Sequence, residues 1–176
     1  MDKIFIFFSI LLIVNCGDKQ KNNISNCQNL YSNEKIELCL PNNDWESINE
    51  DSGAIIFRNT TDNTLPFNKT FIVLMIDDGY DQYKLNAEEY RNEYLINKEE
   101  DKSLNIEIIS KGKEIINEKI FYDFEIIEKN QGLYTYFSVY KKDDTRYIIS
   151  AMIKEKDRDG IDKNDFLKFF KTLNIK

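Results

Sequence analysis

A chain of 176 residues, 41% of them hydrophobic and 13% aromatic, carries enough apolar side chain for one folded domain and does not read as a disordered polymer. Its formal net charge of −7, with 24 basic residues scattered among 31 acidic ones, disfavours nucleic acid and anionic membrane surfaces as partners. Histidine is absent, which removes Ser-His-Asp and Cys-His catalysis together with the commonest metal ligand.

The chain opens on Met1-Asp2-Lys3 and continues through the apolar run Ile4–Val14, interrupted only by Ser9. That run has the length of a secretory leader and falls short of the roughly 20 residues a membrane-spanning helix needs. It ends at Asn15-Cys16-Gly17-Asp18, an arrangement that resembles the bacterial lipoprotein signal, in which the cysteine thiol is acylated and becomes the new N-terminus. An incidental cysteine beside an ordinary cleavage site is the rival reading, and Asn15 suits the small-residue pattern of such sites poorly. Residues 1–15 are therefore expected to be a signal peptide, 16–26 a polar tether from a lipidated Cys16, and 27–176 a single domain. The compartment that follows is the cell envelope, on a membrane face left open. The remaining cysteines, Cys27 and Cys39, fit neither a CxxC redox motif nor a zinc site. They read as a structural disulfide, the alternative being two free thiols.

Within the domain, Ile36, Leu38 and Leu40 alternate with Glu37 and Cys39 as a strand does, and Pro41 ends it. A turn at Asn42-Asn43-Asp44 leads to Trp45, the single tryptophan, and Gly53–Arg58 reads as a second strand. Phe71–Ile76 has no polar member and is expected to be a central strand covered on both faces. Leu85–Lys102 switches to helical period, with Asn86 as N-cap, Glu89 completing a capping box, and Ala87, Tyr90, Tyr94 and Leu95 on one face. Leu104, Ile106 and Ile108 alternate as a further strand, with a short separate piece at Glu114–Ile116. Ile120–Glu128, Leu133–Lys141 and Arg146–Lys154 then follow with hairpin-length connections, an antiparallel meander. The chain closes on a second capped helix from Asp162, whose Phe166, Phe169, Phe170 and Leu173 form one apolar stripe. This order predicts an α+β fold in which helices pack on a mainly antiparallel sheet.

The strand ending in Leu40-Pro41, the turn before Trp45 and the strand Ala54-Ile55-Ile56-Phe57 resemble the opening of PsbP-like domains, the group related to the extrinsic oxygen-evolving protein of photosystem II and shared by bacterial DcrB-like lipoproteins. The likeness runs on through the capped helix, the strand at Ile106–Ser110, the turn Asn117-Glu118-Lys119 and the Phe-rich final helix, covering about Lys35 to Lys176. It implies an α/β/α sandwich and a role as a binding or assembly factor. Some relatives serve as accessory proteins of large complexes, and others as chaperones for secreted effectors. No position here matches a ligand-binding residue of that family.

Three groups of side chains invite a chemical reading. Asp77, Asp78 and Asp81 cluster after the apolar strand, where paired acids could serve a carboxylate-based hydrolase or hold a cation, against the plainer reading of a solvated turn. Glu155–Asp162 has acids at alternate positions and a glycine like a calcium loop, but Phe166 stands where the bidentate glutamate belongs. Tyr134, Tyr136 and Tyr140 share one strand face, which either receives a partner or lies under a helix. Taken together, these residues predict no catalytic constellation, no cofactor and no metal site. The partners expected are a membrane, through the lipid on Cys16, and a protein of the envelope.

Overall fold

In the computed structural model the described residues are 27–40, 42–49, 54–60, 71–78, 84–155, 169 and 171–176. In chain order they form β1 (Leu30–Ser32), β2 (Ile36–Cys39), β3 (Trp45–Asn49), β4 (Ala54–Asn59), β5 (Phe71–Asp78), α1 (Ala87–Glu100), β6 (Ile106–Ile116), β7 (Lys119–Glu128), β8 (Leu133–Lys142), β9 (Thr145–Lys154) and β10 (Asn174–Ile175). Seven strands make one antiparallel sheet in the order β3-β4-β5-β9-β8-β7-β6, and β1-β2-β10 make a small second sheet.

The meander forms where short connections force neighbouring strands together. β7, β8 and β9 pair in register from Glu128↔Leu133 to Lys142↔Thr145. Asn117 and Glu118, both at positive φ (50° and 65°), join β6 to β7 in a two-residue turn of the mirror-image kind that matches strand twist. The two pieces expected at Ile106–Ile108 and Glu114–Ile116 are one long strand, β6, with an irregularity between Ile108 and Ser110 that the alternation could not show.

Each face of the large sheet carries its own core. On one side α1 lays Ala87 and Leu95 on Phe124, Ile126, Phe137, Val139 and Ile148, with Tyr90 and Tyr94 at the margin. Tyr94 stacks on Phe137 at 4.5 Å and Phe137 on Phe124 at 4.9 Å. The helix starts where its capping box predicts: Glu89 N–H donates to Asn86 Oδ1 at 3.0 Å, and Asn86 N–H to Glu89 Oε2 at 2.8 Å. On the other side Ile36 and Leu38 of the small sheet, Phe169 and Leu173 bury against Phe57, Leu74, Tyr134 and Ile149. Phe169 is helical and, like Leu173, is buried, as the apolar stripe requires; the helix start at Asp162 lies outside the described residues. This is the expected α+β arrangement.

One expectation needs correction. β5 is interior to the sheet, but only Ile72 and Leu74 are fully buried, while Met75 is 43% exposed. Among the described residues α1 packs over β7 and β8 and does not extend across Phe71, Val73 and Met75. An antiparallel sheet tolerates such a half-covered strand, so an unbroken apolar run overstated its burial.

Candidate functional site

Tyr134 and Tyr136 are both fully buried, so the tyrosine face is not an open surface. Tyr140 alone stays half-buried, against Phe121 and Tyr147 at 5.3 and 6.1 Å. The reason is the layer above: the small sheet and the Phe169 segment lie over this face of β8 and convert it into core. The neighbouring strand places two acids in the same layer. Asp123 and Glu125 share a face of β7 with Phe121 and Ile127 and alternate with Phe124 and Ile126, and both acids are buried. Tyr134 Oη donates to Glu125 Oε2 at 2.6 Å, and Ser110 Oγ donates to Glu125 Oε1 at 2.5 Å. Burial, reinforced by the charge of Asp123, pushes the Tyr136 phenol upward and keeps it protonated. The signal for these acids was present in the alternation of β7, but nothing local marked which face would turn inward. The pair lines neither the cavity at Glu99, Asp101 and Asn130 nor the one at Arg91, Lys111 and Tyr122.

Because Glu125 is buried and charge-assisted, its hydroxyl partners stabilise the fold. Tyr134→Phe is expected to cost about 1.5–3 kcal/mol, the scale of a hydrogen bond to a charged group whose partner is left buried. Urea denaturation at neutral pH reads it; an unchanged midpoint would show that Glu125 does not depend on this donor.

The acids after β5 are engaged elsewhere. Asp77 lies directly opposite Arg146, whose Nε donates to Asp77 Oδ2 at 3.1 Å and whose guanidinium sits 4.2 Å over the Tyr90 ring. Asp78 pairs with Lys35. Asp81 and residues 156–162 of the calcium-like loop lie outside the described residues. Among the described residues no group of three or more Cys, Asp or Glu is placed to hold a metal ion.

Cys27 and Cys39 form the disulfide, with 5.7 Å between their Cα atoms. Cys39 is on the face of β2 away from the core, so the bond fastens the incoming chain across the outside of that strand. Thr172 Oγ1 accepts from Cys39 N–H at 3.0 Å on the same side. Cys16 is outside the described residues.

A different polar site lies where α1 meets the β6–β7 hairpin. Arg91, on the inner face of the helix and 3% exposed, donates from Nη1 to the carbonyls of Gly112 (2.9 Å) and Asp123 (2.8 Å), and from Nε to Asn92 Oδ1 (2.9 Å). Its Nη2 is 3.6 Å from Glu88 and its guanidinium 5.8 Å from the Tyr122 ring centroid. Burial holds the guanidinium below its usual pKa range. Arg91, Glu88, Lys111, Gly112, Lys113 and Tyr122 together line a cavity of about 360 Å³. Sequence reasoning missed Arg91, because a charged residue beside Tyr90 reads as part of the solvated helix face. Its spacing of four from Ala87 and Leu95 was the available clue.

No family model matches the sequence, and no curated protein does. The structure is similar to the solution structure of cyanobacterial PsbP (CyanoP) from Synechocystis sp. PCC 6803, with a TM-score of 0.59 and 14% identity, covering 84% of this chain and 91% of that one. It is also similar to a Pseudomonas aeruginosa protein of unknown function, with a TM-score of 0.53 and 14% identity over 81% of this chain and 93% of that one. At such low identity it is the order and packing of the elements that agree, and they agree over nearly the whole of each domain. The domain therefore has the PsbP-like α+β fold.

Proposed function

We propose that this protein is a lipid-anchored component of the cell envelope whose PsbP-like domain binds another envelope component without catalysis. The observation that carries the non-catalytic reading is the engagement of the acids. Glu125 is held by two hydroxyls, Glu128 by Lys98 at 2.9 Å, Asp77 by Arg146 and Asp78 by Lys35, so each of these four acids is already engaged by a partner within the fold. A carboxylate-based hydrolase would need two acids exposed to water and substrate together. The Cys27–Cys39 bond supports export, since disulfides persist in oxidising compartments. The leader ending at Cys16 and the polar tether behind it supply the means of anchorage. Among the described residues no helix is long and apolar enough to cross a membrane.

Metabolic labelling with a fatty-acid probe tests the anchor. The wild-type chain should take up label and sediment with membranes, and Cys16→Ser should do neither. An unlabelled wild-type protein that washes off membranes in low salt would overturn the anchored reading.

A further inference from the structure

We propose that the notch between α1 and the β6–β7 hairpin is a binding site for a phosphoryl group, taken either from a soluble phosphorylated ligand or from a lipid headgroup. This deepens the binding-module reading by naming a ligand class and a site.

The first argument is local charge. In a chain of net −7, the notch is lined by Arg91, Lys111 and Lys113 and by one acid, Glu88, with the buried Asp123 behind Gly112 as the second acid near Arg91. Lys111 and Lys113 stand at i and i+2 on β6, opposite Phe124 and Tyr122, so both project on the face that α1 covers. Neither lysine forms an ion pair or hydrogen bond among the described residues, and the Tyr122 hydroxyl forms no hydrogen bond there. Three other cations near this helix and sheet are neutralised by acids: Lys98 by Glu128, Lys129 by Glu107 and Arg146 by Asp77.

The second argument is preorganisation. Arg91 is nine-tenths buried, and its Nη1 and Nε are committed to two backbone carbonyls and Asn92. Those bonds hold the guanidinium plane and leave Nη2 without a hydrogen bond among the described residues, 3.6 Å from Glu88. A desolvated, fixed cation attracts an anion more strongly than a mobile surface lysine does.

The third argument separates phosphate from carboxylate. A carboxylate is gripped best by the planar two-nitrogen fork of arginine, and here that fork is unavailable because Nη1 and Nε are occupied. What remains is one guanidinium nitrogen, two ammonium groups and a phenol. Separated donors of this kind suit a tetrahedral oxyanion, whose oxygens point in different directions. A cavity of about 360 Å³ also accommodates a phosphoryl group with part of what carries it.

The test uses the full chain in nonionic detergent micelles at low ionic strength, with amide NMR shifts at Lys111, Gly112 and Lys113 as the readout. Inorganic phosphate is titrated into plain micelles in one arm. In the other, the micelles are doped with phosphatidic acid. Saturable shifts with inorganic phosphate identify a soluble ligand, and shifts confined to the doped micelles identify a headgroup. In either case binding should weaken about tenfold or more in K111Q/K113Q, since each lost charge-assisted contact is worth a sizeable part of a decade. Both positions are exposed, so this variant keeps the fold, and Arg91→Lys should weaken binding while leaving the lysines in place. Three results would overturn the proposal: no shift in either arm, equal affinity in wild type and K111Q/K113Q, or acetate binding as tightly as phosphate. Fatty-acid labelling at Cys16 is independent of all three, so failure here leaves the anchored reading standing.

Discussion

Phe57→Ala is expected to lower the free energy of unfolding by about 3–5 kcal/mol, the cost of deleting a buried aromatic ring and leaving its cavity. Phe57 is completely buried on β4, where three parts of the molecule meet. Its ring makes edge contacts with Tyr31 of the small sheet at 5.1 Å and with Phe169 at 5.4 Å, and Phe169 in turn touches Trp45 at 6.5 Å. Removing the ring therefore loosens both elements laid on this face of the large sheet, and neither can collapse into the space without drawing a β-strand with it. For a domain of this size the loss corresponds to a melting point lower by roughly 6–20 °C. A chemical denaturation midpoint reads it. A cost below about 1 kcal/mol would mean that the small sheet and the Phe169 segment do not close over β4 as described.

Removing the Cys27–Cys39 bond, by reduction or as C27A/C39A, is expected to cost about 3 kcal/mol in the chain-entropy account of a short closed loop. The bond spans a sequence separation of 12 and fastens the segment before β1 to β2. Non-covalent contacts on this segment are few: Asn29 Nδ2 donates to the carbonyls of Asn42 and Trp45, both at 2.8 Å, and Leu40 N–H donates to the carbonyl of Asn29 at 2.9 Å. Without the disulfide, β1 has three residues of pairing to β2 and the buried ring of Tyr31 to hold it. The melting point should fall by roughly 6–12 °C, while far-UV circular dichroism of the large sheet stays unchanged below the transition. A shift under about 2 °C would show that the hydrogen bonds at Asn29 already hold the entering chain.

Much of this architecture is written in short stretches of sequence because its causes are local. Asn86 and Glu89 satisfy each other's backbone donors within one helical turn, so the start of α1 needs no information from elsewhere. Ile36, Leu38 and Leu40 alternate against Glu37 and Cys39, and the side that carries the cysteine is the side away from the core. The hairpins of β7, β8 and β9 follow from connections too short for any other path. Three elements were not legible. β1, β3 and β10 are short, and β1 and β10 exist as strands only because β2 pairs with both. Glu118 at positive φ sits where glycine or asparagine is the usual signal, so the tightness of that turn was hidden.

The same division runs through the candidate sites. Composition excluded histidine chemistry, and the cysteine pattern named the bonded pair, since both depend only on which residues are present. The fate of Tyr134 and Tyr136, the inward turn of Asp123 and Glu125, and the placing of Arg91 beside Lys111 and Lys113 could not be had that way. A strand has two faces that are alike until another element lies on one of them, and a helix residue at the border of a stripe is neutral until its carbonyl partners arrive. Which side chains become core and which line an opening is a property of the element opposite, and that element comes from a distant part of the chain.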